Sequence, residues 1–187
     1  AAAAAAAGAS GRFAEIVFFD DDATLGPQVG RWPLRGDSQA FIAATAPDSG
    51  SAPVERHIGI GDNLKRDQWA RRCESLGFTL ATVVHPAAVV SVDAALAPGC
   101  FVAAGAVVAP GAEIGTAAIV NHGASVDHDN RIGRAVHIGP GAHLGGTVGR
   151  EPVPALVGRC RRGVRHAPRH GHRARRGARR PARRDRT

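Results

Sequence analysis

Cysteine is scarce in this 187-residue chain, and the three present (Cys73, Cys100, Cys160) show no CxxC spacing. That argues against a disulfide framework or a thiolate zinc site, and for a reducing compartment. No apolar run approaches the roughly 18 residues of a membrane span, and no charged-then-apolar segment reads as a signal sequence. The expected location is the cytoplasm. Basic residues are scarce over most of the chain as well. The net charge is +8, yet residues 1–158 carry 11 Lys+Arg against 15 Asp+Glu, a net of −4. Residues 159–187 carry 13 Arg against one acid, Asp185, a net of +12. The chain is a mildly acidic body with a basic tail, long enough for one or two small domains.

What is present is a period. An aliphatic residue falls at every sixth position: Val84, Val90, Leu96, Val102, Val108, Ile114, Val120, Val126, Ile132, Ile138 and Leu144. Four places after each comes a residue that is mostly small, as in Ala88, Ala94, Cys100, Ala106, Ala112, Ala118, Ala124, Asn130 and Ala142. Both offsets are even, so in extended chain both series point to one side, the interior. A six-residue strand and corner cannot bury its face alone and needs stacked copies. Pro98, Pro110 and Pro140 exclude continuous helix. Glycines at 99, 105, 111, 123, 133, 139, 141 and 145 suit tight corners.

The N-terminal third reads differently. Residues 1–9 are nearly all alanine and suit the end of a helix. Ala14–Phe19, Ala40–Thr45, His57–Gly61 and Phe78–Val84 read as strands, and Leu64–Leu76 as an amphipathic helix with Gly77 as its cap. Leu64, Trp69, Cys73 and Leu76 mark the helix's apolar face. The order predicts a small α/β unit with a parallel sheet. Ligands of such sheets sit at the carboxyl ends of the strands, where Asp20, Asp21, Gly61, Asp62 and Asn63 stand.

The repeat resembles the hexapeptide-repeat, left-handed β-helix acyltransferases, in which three hexapeptides make one coil and residues eighteen apart stack. With FFDDD (Phe18–Asp22), IGDN (Ile60–Asn63), a Lys/Arg-bearing helix and HP (His85-Pro86), the chain looks like one subfamily. It comprises bacterial sugar acetyltransferases acting on sialic acid, perosamine or UDP-linked 4-amino-4,6-dideoxy sugars in cell-surface polysaccharide biosynthesis. The resemblance covers roughly residues 13–149. It implies a truncated Rossmann-like sugar-nucleotide domain over residues 1–82, without its first strand and GxGGHG turn, and a left-handed β-helix over 83–149. It also implies a homotrimer that holds acetyl-CoA between neighbouring subunits.

Asn121–Gly133 (NHGASVDHDNRIG) is the most chemical stretch. His128 lies two places after inward Val126, hence at a corner and facing out, between Asp127 and Asp129. A neutral imidazole suits proton removal from an amine or hydroxyl, and an adjacent carboxylate can hold its tautomer. Eighteen residues on, Gly146 offers a backbone N–H at the same corner. The resemblance makes His128 the general base, Asp129 its orienter, Gly146 the oxyanion donor and His137 an acetyl-CoA contact. His85, His122 and His143 read as solvated residues. Because His122 and His128 lie on adjacent corners, and His137 and His143 on neighbouring faces, no zinc set converges and no metal is expected. Cys100 and Asn130 occupy the small-residue position without assigned chemistry.

From Arg150 the register fails. The Arg-rich tail, residues 150–187, has three readings: a phosphate-binding nucleic-acid segment, a solvated extension, or the product of a frameshift near residues 150–158. The third fits the composition best. The rivals to an active acetyltransferase are therefore a non-catalytic β-helix fragment and a nucleic-acid-binding protein acting through the tail.

Overall fold

The computed structural model describes residues 1–44 and 54–147. The Arg-rich tail lies outside these residues. In chain order the elements are helix α1 (Ala2–Ala9), strands β1 (Gln28–Val29) and β2 (Trp32–Pro33), and helices α2 (Ser38–Ala43) and α3 (Asn63–Ser75). Eleven two-residue strands follow: β3 (Val83–Val84), β4 (Val89–Val90), β5 (Ala95–Leu96), β6 (Phe101–Val102), β7 (Val107–Val108), β8 (Glu113–Ile114), β9 (Ile119–Val120), β10 (Ser125–Val126), β11 (Arg131–Ile132), β12 (His137–Ile138) and β13 (His143–Leu144).

Each of these eleven strands ends on its sixth-position aliphatic. They assemble into three parallel sheets, ordered β3-β6-β9-β12, β4-β7-β10-β13 and β5-β8-β11. Partners are eighteen residues apart: Val84 pairs with Val102, Val102 with Val120 and Val120 with Ile138. The result is a parallel β-solenoid of about three turns. Its core contains both series expected to point inward, the aliphatics from Val102 to Leu144 and the small residues Cys100, Ala106, Ala112, Ala118, Ala124, Val136 and Ala142. Each fully buried aliphatic contributes about 1.5–3 kcal/mol.

The corners follow a rule that composition alone does not show. From residue 99 to residue 147, every sixth residue has a left-handed φ, between 51° and 77°. Five are glycines (Gly99, Gly105, Gly111, Gly123, Gly141) and four are not (Ala117, Asp129, Ala135, Thr147). Gly133, Gly139 and Gly145, also expected at tight corners, do not have positive φ. A non-glycine in this region costs on the order of 1 kcal/mol and persists where its surroundings hold it.

The N-terminal third departs from the expected α/β unit, since among the described residues there is no parallel sheet outside the solenoid. Residues 14–19 form no strand beyond an isolated bridge, Phe18 to Leu34. At 56–61 the pairing is likewise a single bridge, Arg56 to Leu80, and the 78–84 strand shrinks to Val83–Val84. Ala40–Ala43 are helical, because Asp37 caps α2 by accepting from the N–H groups of Gln39 (3.0 Å) and Ala40 (2.9 Å). The apolar side chains of this region bury partly on one another, as in the Phe18–Trp32, Phe19–Phe41 and Phe41–Trp69 ring contacts, and partly on the solenoid. Ala6 and Ala7 of α1 pack with Val83, Phe101 and Ala103, and Ile58, Ala70, Cys73 and Leu80 pack with Ala117. Helix α3 forms as expected, with Asp62 as N-cap, but Leu64 and Leu76 are 67% and 48% exposed. Its buried face is Arg66, Ala70 and Cys73.

Arg66 fastens this helix to the coils. It is 1% exposed, and its guanidinium donates to the carbonyls of Ala117 (2.8 Å), Ala135 (2.8 Å), Ile60 (2.7 Å) and Gly61 (3.1 Å) and to Asn63 Oδ1 (2.7 Å). All five of its N–H donors are thereby used. Two acceptors belong to left-handed corner alanines on successive coils, so one side chain holds both. Arg66→Ala strips buried carbonyls of their donor and is expected to cost about 3 kcal/mol or more. Denaturant unfolding checks this, and a loss below about 1 kcal/mol would contradict the role.

Candidate active site

The chain turns between β10 and β11 over residues 127–130. His128 stands at the tip of this turn, its N–H donating to Asp127 Oδ1 at 2.8 Å. The left-handed φ of Asp129, 57°, brings its carboxylate beside the ring, with His128 Nδ1 2.9 Å from Asp129 Oδ2. A carboxylate only accepts, so Nδ1 carries the hydrogen and Nε2 is left as the acceptor. Both side chains are exposed, 57% and 64%. The bond to Asp129, then the charge of Asp127, raise the His128 pKa above its ordinary 6.5.

The neighbouring coils leave room for each partner. A Cβ on Gly111, eighteen residues before Asp129, would lie 2.5 Å from Asp129 Oδ1. A Cβ on Gly146, eighteen residues after His128, would lie 2.6 Å from His128 Cε1. The imidazole therefore rests against the Gly146 backbone. Thr147 N–H donates to His128 O at 3.0 Å and stacks the two corners. The Gly146 N–H has no acceptor among the described residues. Neither do those of Ala104, Thr116 and Arg134 at matching corners, so the imidazole against it is what distinguishes Gly146. A shallow groove runs from this corner along the outer face of β7, β10 and β13, lined by Val107, Ser125, Asp127, His143 and Gly145.

No protein-family model matches the chain, nor does any curated protein. Solved structures do. The acetyltransferase domain of PglB from Neisseria gonorrhoeae FA1090, in complex with acetyl coenzyme A, is 36% identical with a TM-score of 0.69, over 76% of this chain and 66% of that one. The same domain without the ligand is 35% identical with a TM-score of 0.68, over 76% of this chain and 67% of its own. The hexapeptide-repeat sugar acetyltransferases are this chain's family. PerB from Caulobacter crescentus, in complex with CoA and GDP-perosamine, is 33% identical with a TM-score of 0.67, over 78% of this chain and 66% of that one. WeeI from Acinetobacter baumannii AYE, 22% identical with a TM-score of 0.60 over 71% of this chain and 59% of that one, shares the fold. The chain spans about two thirds of the PglB and PerB chains.

Of the residues singled out by this family's motifs, the structure brings His128, Asp129 and Gly146 together. His137 is elsewhere. It lies on the face of β3, β6, β9 and β12, not at the corner after β10, so a single chain does not bring it to His128. There it is half-buried, Nε2 2.9 Å from Asn121 Nδ2, and burial, then the Arg66 charge, lower its pKa. The N-terminal candidates already have structural partners. Asp20 accepts from Asp22 N–H (3.0 Å), Asp21 from Ser38 N–H (2.8 Å) and Asp62 from Lys65 N–H (2.8 Å). Gly61 O and Asn63 Oδ1 both hold Arg66. Sequence reasoning missed Gly111, although counting eighteen back from Asp129 finds it. Among the described residues no three His, Cys, Asp or Glu side chains group as a metal would need, and no helix is long and apolar enough to cross a membrane.

Gly146→Ala puts a methyl group where the imidazole rests. The ring is expected to leave Asp129, and the His128 titration point, read by NMR, to fall toward 6.5. A midpoint unchanged from the parent protein would contradict the packing.

Proposed function

We propose that this protein transfers the acetyl group of acetyl-CoA to the amine, or less readily a hydroxyl, of a nucleotide-linked sugar, with His128 as general base. The observation that carries this reading is the His128–Asp129 pair packed on the Gly146 backbone, in a chain of this family. Asp129 holds the tautomer that leaves Nε2 free to accept a proton, and it stabilises the imidazolium that forms. As the sugar nitrogen attacks the thioester carbonyl, Nε2 takes the nitrogen's proton, the C–S bond breaks and the CoA thiol leaves. The Gly146 N–H is the donor assigned to the carbonyl oxygen as its negative charge grows.

Acetyl-CoA supplies the activated acetyl group, and the surface along Ser125, Asp127, His143 and Gly145 is the one assigned to it. Relatives in complex with acetyl coenzyme A, and with CoA and GDP-perosamine, support these substrate classes. The assembly proposed is a homotrimer, in which the face bearing His137 of one copy lines the thioester site of its neighbour. The sugar nucleotide is assigned to Asp20, Asp21, Gly61, Asp62 and Asn63. The cytoplasm is the proposed location.

The base must be neutral to act, so kcat rises with pH through a midpoint above the 6.5 of an ordinary histidine. Asp129→Asn removes the group that raises this pKa, and the midpoint is expected to move down. A pH–rate profile for each protein reads the difference, and an upward move would contradict the assignment.

His128→Ala is expected to lower kcat about 10²- to 10⁴-fold with little change in KM. Thiol release from acetyl-CoA with a panel of UDP- and GDP-linked amino sugars measures it. Unchanged turnover in this variant would sink the assignment, and no release by the parent protein with any of the sugars would sink the function.

A further inference from the structure

Asn130 places a carboxamide inside the solenoid, where most coils carry alanine, and it is fully buried. At most other corners the residue in this position closes the turn with its own backbone. The N–H of Ala94 donates to Ser91 O (3.1 Å), that of Ala106 to Ala103 O (3.2 Å), that of Ala112 to Ala109 O (3.3 Å) and that of Ala142 to Gly139 O (3.1 Å). At 127–130 a side chain takes that place, with Asn130 Nδ2 donating to Asp127 O at 2.7 Å. The other hydrogen of the same nitrogen reaches Gly145 O at 3.0 Å, on the next coil. Turning the amide over would set Oδ1 against two carbonyl oxygens, so its orientation follows from its partners.

Asp127 directly precedes His128, and Gly145 directly precedes Gly146. One buried nitrogen therefore ties together the two backbone segments whose stacking sets the imidazole against Gly146. Burying an amide costs free energy that an alanine would not, and alanine already fits this position at the corners of 106, 112, 118, 124 and 142. Cys100 gives a weaker parallel. Its thiol reaches Gly115 O at 3.0 Å, the same fifteen residues ahead, and burial pushes its pKa up to about 11, so it is a neutral donor.

We propose that Asn130 is a positioning residue: its amide sets the spacing between the His128 corner and the Gly146 corner, and the fold itself does not need it. The inference rests on the acetyltransferase reading for its catalytic consequence, but not for its geometry.

Asn130→Ala and Asn130→Cys in the full-length protein test it. Two readouts are needed, amide hydrogen exchange at Thr147, whose N–H donates to His128 O, and kcat with KM for acetyl-CoA and the accepted amino sugar. Asn130→Ala is expected to stay folded by circular dichroism, to exchange Thr147 about tenfold faster or more, and to lose about 10- to 100-fold in kcat with KM within a factor of about two. Asn130→Cys, which keeps a donor, is expected to fall between it and the parent in both. Parent-like Thr147 exchange in Asn130→Ala would overturn the clamp. Faster exchange with kcat unchanged would overturn its catalytic role, as would an equal loss in kcat and rise in KM. An unfolded Asn130→Ala would overturn the claim that the fold does not need the amide, and Asn130→Cys would then decide the rest. If the parent protein transfers no acetyl group, Thr147 exchange still judges the clamp, and the failure belongs to the functional reading.

Discussion

The left-handed residue at every sixth position is the constraint on which the rest depends. From Gly99 to Thr147 each corner turns on one such residue, and the turn carries the chain from one sheet to the next. Three turns close a coil, which is why strand partners are eighteen residues apart. Glycine meets the requirement without strain at five of the nine corners. The other four are where the solenoid does something besides turn. The carbonyls of Ala117 and Ala135 are held by Arg66, which joins helix α3 to two successive coils. Asp129 carries the carboxylate beside His128, and Thr147 hydrogen-bonds back to His128 O. Strain persists where neighbouring structure over-determines it, and each of these corners has such a neighbour.

The candidate site is a local consequence of stacking. An exposed histidine in water has many orientations and an ordinary pKa. His128 has a carboxylate on Nδ1, a second carboxylate at its backbone N–H, and a glycine on the adjacent coil against which its ring packs. Gly111 on the preceding coil leaves the space that the Asp129 carboxylate occupies. Five residues on three coils thus converge through a repeat of eighteen, with no loop longer than a corner. Ordered neighbours limit the search for a reactive geometry, and a rigid scaffold suits that task.

Much of this was legible because a period-two strand inside a period-six repeat leaves few choices. Val126 ends its two-residue strand and the next inward place is Asn130, so His128 falls on the corner between them, with Gly146 eighteen residues on at the stacked corner. The N-terminal third had no such constraint. Its apolar segments, 14–19 and 57–61, have strand composition, but the pairings there are single bridges at Phe18 and Arg56. Ile16 packs against the cluster around Phe101, Phe18 and Phe19 meet the rings of Trp32 and Phe41, and Ile58 joins Ala70, Cys73, Leu80 and Ala117. Composition reports that a segment will be buried, not against what. Residues 40–43 went the other way for a local reason, since the Asp37 cap decides for helix. Arg66 and Asn130 were invisible for a shared reason. Each of these buried side chains depends in part on carbonyls 15 to 69 residues away, which no local pattern encodes.

The sequence by itself therefore determined the solenoid, its inward series and the corner on which His128 stands, because a strict period converts residue number into position. Tertiary structure alone decided which corners take the left-handed conformation without glycine, how helix α3 is fastened, and that the described N-terminal segments form no parallel sheet. Those outcomes depend on hydrogen bonds and packing between coils and across the helix interface, where residues distant in sequence supply each other's partners.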